Sequence, residues 1–394
     1  AGRKIAAALA DFEPDLDDLA AGTASAGVPV PALVAQLRRV VGGAAASYVH
    51  WGATSQDIVD TALVLQLRQV LRALEARLAR LNAALVRLIQ GHRDTVVVAR
   101  TRFQQALPTT FALKAAGWLA PLLRDQQRLR ELEPRLLAVQ LGGAAGNLAA
   151  LGDRGIEVME ALAAELGLAC PPIPWHNQRD TLVELGSWLA LVSGSLGKLG
   201  QDVLLMAQNE IGEVREAAGG GSSTMPQKSN PVRSEALVTL ARRNATLIAG
   251  LHQAMLHAHE RDGSAWQLEW ATLPDLASGT AAALAHAAEL AETMIVDQER
   301  MAGTLASTRG LLLAEAVSFA LSEHMARADA QALVKEAVGS AHESGRDLLK
   351  VVAGLCDAPV DWSRLRAQAE TPPAAEPLVR RVLQAVADNR RKGT

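Results

Sequence analysis

Seven leucines, Leu67, Leu71, Leu74, Leu78, Leu81, Leu85 and Leu88, recur at alternating spacings of four and three. That period puts all seven on one stripe and predicts a single long helix from about Asp57 to His92. Helical patterns follow from Thr110 to about Leu137, from Thr181 to about Glu216, from Pro231 to about His259 and from Leu276 to about Val296. No run of alternating strand residues separates them, so the pattern reads as all-α. After Asp297 the apolar stretches shorten and break at Gly339 to Gly345, Asp357 to Val360 and Pro372 to Pro373, which predicts smaller helices.

The third pattern carries Gly186, Gly194, Gly197 and Gly200. A glycine costs about 1 kcal/mol against alanine inside a helix, so the recurrence predicts close helix approach in a buried bundle. Three domains are expected: an N-terminal helical domain over residues 1–57, a long-helix domain over 58–297 and a small helical domain over 298–394. Apolar stripes wider than one partner can cover predict association between chains.

Composition narrows the function classes. The 39 basic and 42 acidic residues are spread along the chain for a net charge of -3, which disfavours nucleic acid and anionic membranes as partners. Cys170 and Cys356 lie far apart and outside any CxxC pattern, which suits a reducing compartment and the cytoplasm. Charged residues interrupt the apolar stretches before the roughly 18 residues a membrane span needs. His257 and His259 are two apart, so a helix would point them to different faces, and no metal is expected.

Four polar segments carry candidate chemistry. Tyr48 to Asp57 (YVHWGATSQD) precedes the leucine helix, and Thr54 or Ser55 can cap it, leaving first-turn amides that suit a carboxylate. Arg100 to Thr110 (RTRFQQALPTT) reads as a polar, capped loop leading into the next helix. Trp175 to Asp180 (WHNQRD) gathers an imidazole, two amides and a guanidinium. Arg179 can grip a carboxylate bidentately or pair with Asp180 at the surface.

The fourth segment, Gly219 to Pro231 (GGGSSTMPQKSNP), sits between two long helices. It combines a glycine hinge, hydroxyls, a lysine and an asparagine, the makings of a mobile catalytic lid. Lys228-Ser229 ends like a phosphate loop, but Gln227 stands where that motif needs glycine, and no strand precedes it. Gly142 to Gly146 likewise follows no strand, so a dinucleotide site is not expected, and close backbone approach is its better use.

Together and in this order, the segments resemble the fumarase/aspartase superfamily over essentially the whole chain, with GSSTMPQKSNP resembling its signature GSSxMPxKxNP. Within it, YVHWGATSQD, WHNQRD, SLGKLGQD, AHERDGSAWQLEWATLPD and GLLLAEAVS resemble the 3-carboxymuconate cycloisomerase branch. Adenylosuccinate lyases are the runner-up. Their pattern has two histidines where this chain has Arg102 and Gln105, and an arginine where Trp270 follows Glu269. A reading of another class, a scaffold whose leucine seam binds partner helices, leaves the Gly219–Pro231 loop without a task.

The resemblance implies a long antiparallel helical bundle that tetramerises, with each active site assembled from three subunits, a small polycarboxylate substrate and no cofactor. It also implies an N-terminal domain longer than the stretch before His50. Ser222 is then the candidate proton carrier, with Ser223 the alternative. Lys228 and Asn230 would hold the carboxylate on which charge develops. Thr54, Ser55, Thr101, Arg102, Gln105, Gln178, Arg179 and Glu269 fall to the remaining substrate contacts, and His50 and His176 to orientation or proton relay.

Overall fold

The leucine seam folds as its spacing predicts. In the computed structural model, which describes residues 1–221 and 224–391, a helix runs from Ser55 to Gly91. All seven leucines are buried on it, Leu78, Leu81 and Leu85 completely, and each such burial contributes roughly 2 kcal/mol. The chain forms two compact units, each drawn from three stretches of sequence. Ala1–Glu75, Arg128–Ala190 and Asn244–Ser278 make the first; Ala76–Gln127, Leu191–Arg243 and Gly279–Thr394 make the second.

In the first unit, helices Leu16–Ala26 and Val30–Val41 precede the leucine helix, and Val30 and Val34 pack on Val49. Asp15 starts the earlier helix by accepting from the amides of Asp17 and Asp18, the usual role of an N-cap carboxylate. Helix Gly155–Leu166 sets Met159 and Ala163 against Val139, Leu141 and Leu148. A Cβ at Gly186 would lie 2.3 Å from Leu251 Cδ1, so close helix approach does require that glycine.

In the second unit the same holds for Gly197, where a Cβ would meet that of Ala241 at 2.4 Å, and for Gly200 against Leu237; Gly194 faces open space and has no such reason. A smaller core forms around Val317, Leu321, Ala337, Leu348 and Val352. The helix Arg327–Ser344 passes through Gly339 unbroken and ends at Gly345, whose φ of 66° is left-handed.

The structure corrects several boundaries. The segment expected as a loop is a β-hairpin, Val96–Thr101 paired antiparallel with Gln104–Thr110. The helix expected to reach Glu216 stops at Met206. There the chain turns at Gly212, whose amide reaches the Gln208 carbonyl at 2.7 Å, and enters a strand, Val214–Arg215, paired with Ile295–Val296. The helix expected from Leu276 begins at Gly263 and runs through Pro274 to Thr293. Asp262 starts it by accepting from the amides of Ser264 and Ala265 at 2.9 and 3.3 Å. Hydrogen bonds from the Ser264 hydroxyl and from the amides of Ala258, Ala265 and Ser264 hold its carboxyl down at about 2. No single helix among the described residues is long and apolar enough to cross a membrane.

Candidate active site

The residues singled out from the sequence divide between the two units. In the first unit the leucine helix begins just after Thr54. Asp57, in its first turn, reaches back to the Thr54 amide at 2.8 Å and also accepts from the amides of Gly142 and Gly143 at 2.8 and 3.0 Å. Its Oδ1 lies 2.7 Å from Nε2 of His176. A carboxylate with these partners only accepts, so Nε2 is the donor in this contact. Nδ1 is buried and has no hydrogen-bond partner among the described residues. The glycines are needed here, because a Cβ at Gly142 would lie 2.8 Å from His176 Cε1.

The same helix turn carries Asp60, and this changes the role of Arg179. The guanidinium is wholly buried and bonds Asp60 through Nη1 and Nη2 at 2.7 and 3.0 Å and Glu269 through Nε and Nη2 at 2.9 and 2.6 Å. Trp266 Nε1 donates to Asp60 at 3.0 Å, and the Trp175 ring stacks 4.7 Å from the guanidinium carbon. Burial pushes the Glu269 carboxyl up despite Arg179 beside it. Burial also opposes the charge on Arg179, yet Asp60 and Glu269 raise its value overall. Arg179 and Glu269, expected as substrate contacts, therefore bind each other and hold three segments of this unit together. A surface pair with Asp180 is not formed.

Arg261 and Gln56, not singled out from the sequence, complete the first group. Arg261 donates to Gln56 Oε1 at 3.0 Å and to the carbonyls of Gly143 and Ala144 at 3.3 and 3.1 Å, and Gln56 donates to the His176 carbonyl at 2.8 Å. His50 has φ 64° and a buried Nε2 without a partner among the described residues. Thr54 and Ser55 are half-buried and Gln178 is exposed. His257 also has both ring nitrogens buried without partners among the described residues. Burial and the nearby Arg179 push its imidazole down.

In the second unit the hairpin closes on a two-residue turn, Arg102 and Phe103, both at positive φ, 50° and 66°. Thr101, Arg102 and Gln105 are all exposed around this tip. Arg100 anchors the hairpin by a bidentate pair to the buried Glu213, at 2.9 and 2.8 Å. In the glycine-rich segment, Gly220 and Gly221 pair with Asn230 and Ser229 to form a short stem. The buried Glu216 fixes it by accepting from the amides of Arg233 and Ser234, at 3.2 and 2.9 Å, and from the Ser234 hydroxyl at 2.7 Å. Lys228 is exposed and Asn230 half-buried. Ser222 and Ser223 lie outside the described residues. Among the described residues no group of three or more His, Cys, Asp or Glu side chains is placed to hold a metal ion.

A family profile described as lyase matches residues 21–245 of this chain. The chain belongs to that lyase family, within the fumarase/aspartase superfamily. It is similar to the 3-carboxy-cis,cis-muconate cycloisomerase of Pseudomonas aeruginosa, with 50% identity over 85% of this chain and 74% of the relative. It is also similar to trans-aconitate decarboxylase 1 of Mycosarcoma maydis, with 40% identity over 83% of this chain and 67% of the relative. Among solved structures, the 3-carboxy-cis,cis-muconate lactonizing enzyme from Pseudomonas putida superposes with a TM-score of 0.89 at 43% identity, covering 97% of this chain and 87% of that one. The largely helical architecture expected from the sequence is thus the family's own.

Proposed function

We propose that this chain is a cycloisomerase that converts 3-carboxy-cis,cis-muconate to 4-carboxymuconolactone in the breakdown of aromatic acids. The observation that carries this reading is the 50% identity to the Pseudomonas aeruginosa enzyme across most of the chain. In the reaction one carboxylate oxygen of the trianion adds to a double bond and forms the ring C–O bond. The electron pair moves onto the carbon next to another carboxylate, giving an enediolate. That carbon then takes a proton, so each turnover consumes one proton and yields a lactone dianion.

Ser222, or Ser223, is the proton carrier in this proposal. Lys228 and Asn230 hold the carboxylate that becomes the enediolate, since a fixed cation and an amide stabilise developing charge more than the ground state. Thr54, Ser55, Thr101, Arg102, Gln105 and Gln178 contact the rest of the substrate. The Asp57–His176 pair supports proton relay or orientation, because the carboxylate fixes one ring nitrogen and the other is buried without a partner among the described residues. The enzyme works without a cofactor, in the cytoplasm. It is a homotetramer with active sites shared between subunits, supported by the exposed Ile58, Leu191 and Val232 on the long helices. Loss of ultraviolet absorbance from 3-carboxymuconate, run beside an adenylosuccinate cleavage assay, tests the reading. Activity on adenylosuccinate alone would overturn it.

A further inference from the structure

A tricarboxylate carries three negative charges, and with Arg179 committed to Asp60 and Glu269 the cations left among the substrate contacts are Lys228 and Arg102. The second unit holds two more that no motif pointed to. A cavity of about 770 Å³ opens beside the hairpin, lined by Gln104 and Gln105 from the hairpin and by Thr308, Arg309, His342 and Arg346 from the C-terminal part. Such a volume suits a small-molecule site. Its third arginine, Arg100, is neutralised by the buried Glu213, and Glu210 is the single acid among the described residues of the lining. That leaves two guanidiniums against one carboxylate.

The backbone fixes where these two sit. Arg309 has φ 49°, a left-handed conformation that a non-glycine residue holds only when its surroundings impose it, and such strain gathers at functional sites. Its Nη1 donates to the carbonyl of Gly345 at 2.7 Å, which brings the guanidinium against the peptide leading into Arg346. A Cβ at Gly345 would stand 2.5 Å from that nitrogen, so the glycine makes the room. Arg346 forms no ion pair among the described residues and is exposed to the cavity. Its own amide is tied to Ser344 Oγ at 3.4 Å.

We propose that Arg309 and Arg346 together hold one carboxylate of the substrate in this cavity and so select a tricarboxylate over the matching dicarboxylate. The substrate class rests on the cycloisomerase reading; the anion site itself does not. Two planar guanidiniums meeting one carboxylate give directional, charge-assisted bonds that a lone lysine cannot.

Calorimetric binding of propane-1,2,3-tricarboxylate and of glutarate to the intact chain tests this. Wild type binds the tricarboxylate about tenfold or more tighter. R346Q and R309Q each lose about tenfold or more for the tricarboxylate while glutarate changes by less than about twofold, and R346K recovers part of the loss. In turnover the same variants raise KM with little change in kcat. Arg346 is exposed and supports no described ion pair, so R346Q keeps its melting temperature and decides the matter even if R309Q does not fold. Unchanged preference for the tricarboxylate in folded R346Q overturns the proposal. If wild type fails to turn over 3-carboxymuconate while R346Q still loses tricarboxylate binding, the reaction assignment falls and the anion site stands.

Discussion

Nε2 of His176 lies 2.7 Å from Oδ1 of Asp57, and that same carboxylate also accepts three backbone amides, from Thr54, Gly142 and Gly143. One side chain therefore sets the start of the leucine helix, the glycine turn and the tautomer of a buried histidine. In Asp57→Asn, one of the two atoms becomes a donor and must face amide donors. The loss should be about 2–3 kcal/mol, since charge-assisted bonds are replaced by a donor–donor clash. Urea denaturation measures it, and a loss under about 0.5 kcal/mol would show that the carboxylate is not what holds these segments.

The hairpin tip gives the second prediction. Arg102 and Phe103 occupy positive φ, a turn that favours Asn-Gly. The double variant Arg102→Asn/Phe103→Gly should stabilise the chain by about 1–2 kcal/mol by removing that strain. Turnover should fall, because Arg102 is one of the proposed substrate contacts. A thermal melt and an activity assay on one preparation check both. A destabilised variant would mean that the tip is not strained.

His257 supplies a pH dependence. Burial and Arg179 push its imidazole below the usual 6.5, so the folded state binds the proton less readily than the unfolded chain. The sign is therefore that its stability contribution is present above 6.5 and is lost as pH falls through the lowered value. Stability of wild type minus that of His257→Gln should decrease as pH drops below about 6.5. Denaturation at a series of pH values reads this difference; a difference flat in pH contradicts the cause.

Much of this arrangement was legible in the sequence, and the parts that were not have physical reasons. The leucine spacing identified the helix Ser55–Gly91 to within two residues at either end, because one buried stripe fixes the period. The hairpin escaped because its turn residues are Arg and Phe, without the Asn-Gly or Asp-Gly signal, and because Val96, Val97 and Val98 form a run rather than an alternation. The helix start at Gly263 escaped because Pro274 interrupts its pattern. Arg179 drew attention as a carboxylate binder, correctly as chemistry, but its partners Asp60 and Glu269 stand 119 and 90 positions away. No local pattern distinguishes a protein carboxylate from a substrate's.

The proposed sharing of active sites between subunits makes a fourth prediction. Chains carrying Ser222→Ala and chains carrying Thr54→Val, each nearly inactive alone, should recover some activity when mixed, because a minority of sites in mixed tetramers receive both intact segments. Verified mixed tetramers with no recovery would contradict sharing.

As the proposed cycloisomerase, the chain closes a tricarboxylate diene to a lactone with uptake of one proton and loss of no carbon. The direct test follows carbon-13-labelled 3-carboxy-cis,cis-muconate by NMR in weakly buffered solution with a pH electrode. The expected result is 4-carboxymuconolactone as the product, one proton consumed per diene and all labelled carbon retained. Release of labelled carbon dioxide, or a diene left unchanged by enzyme that is folded, would contradict it.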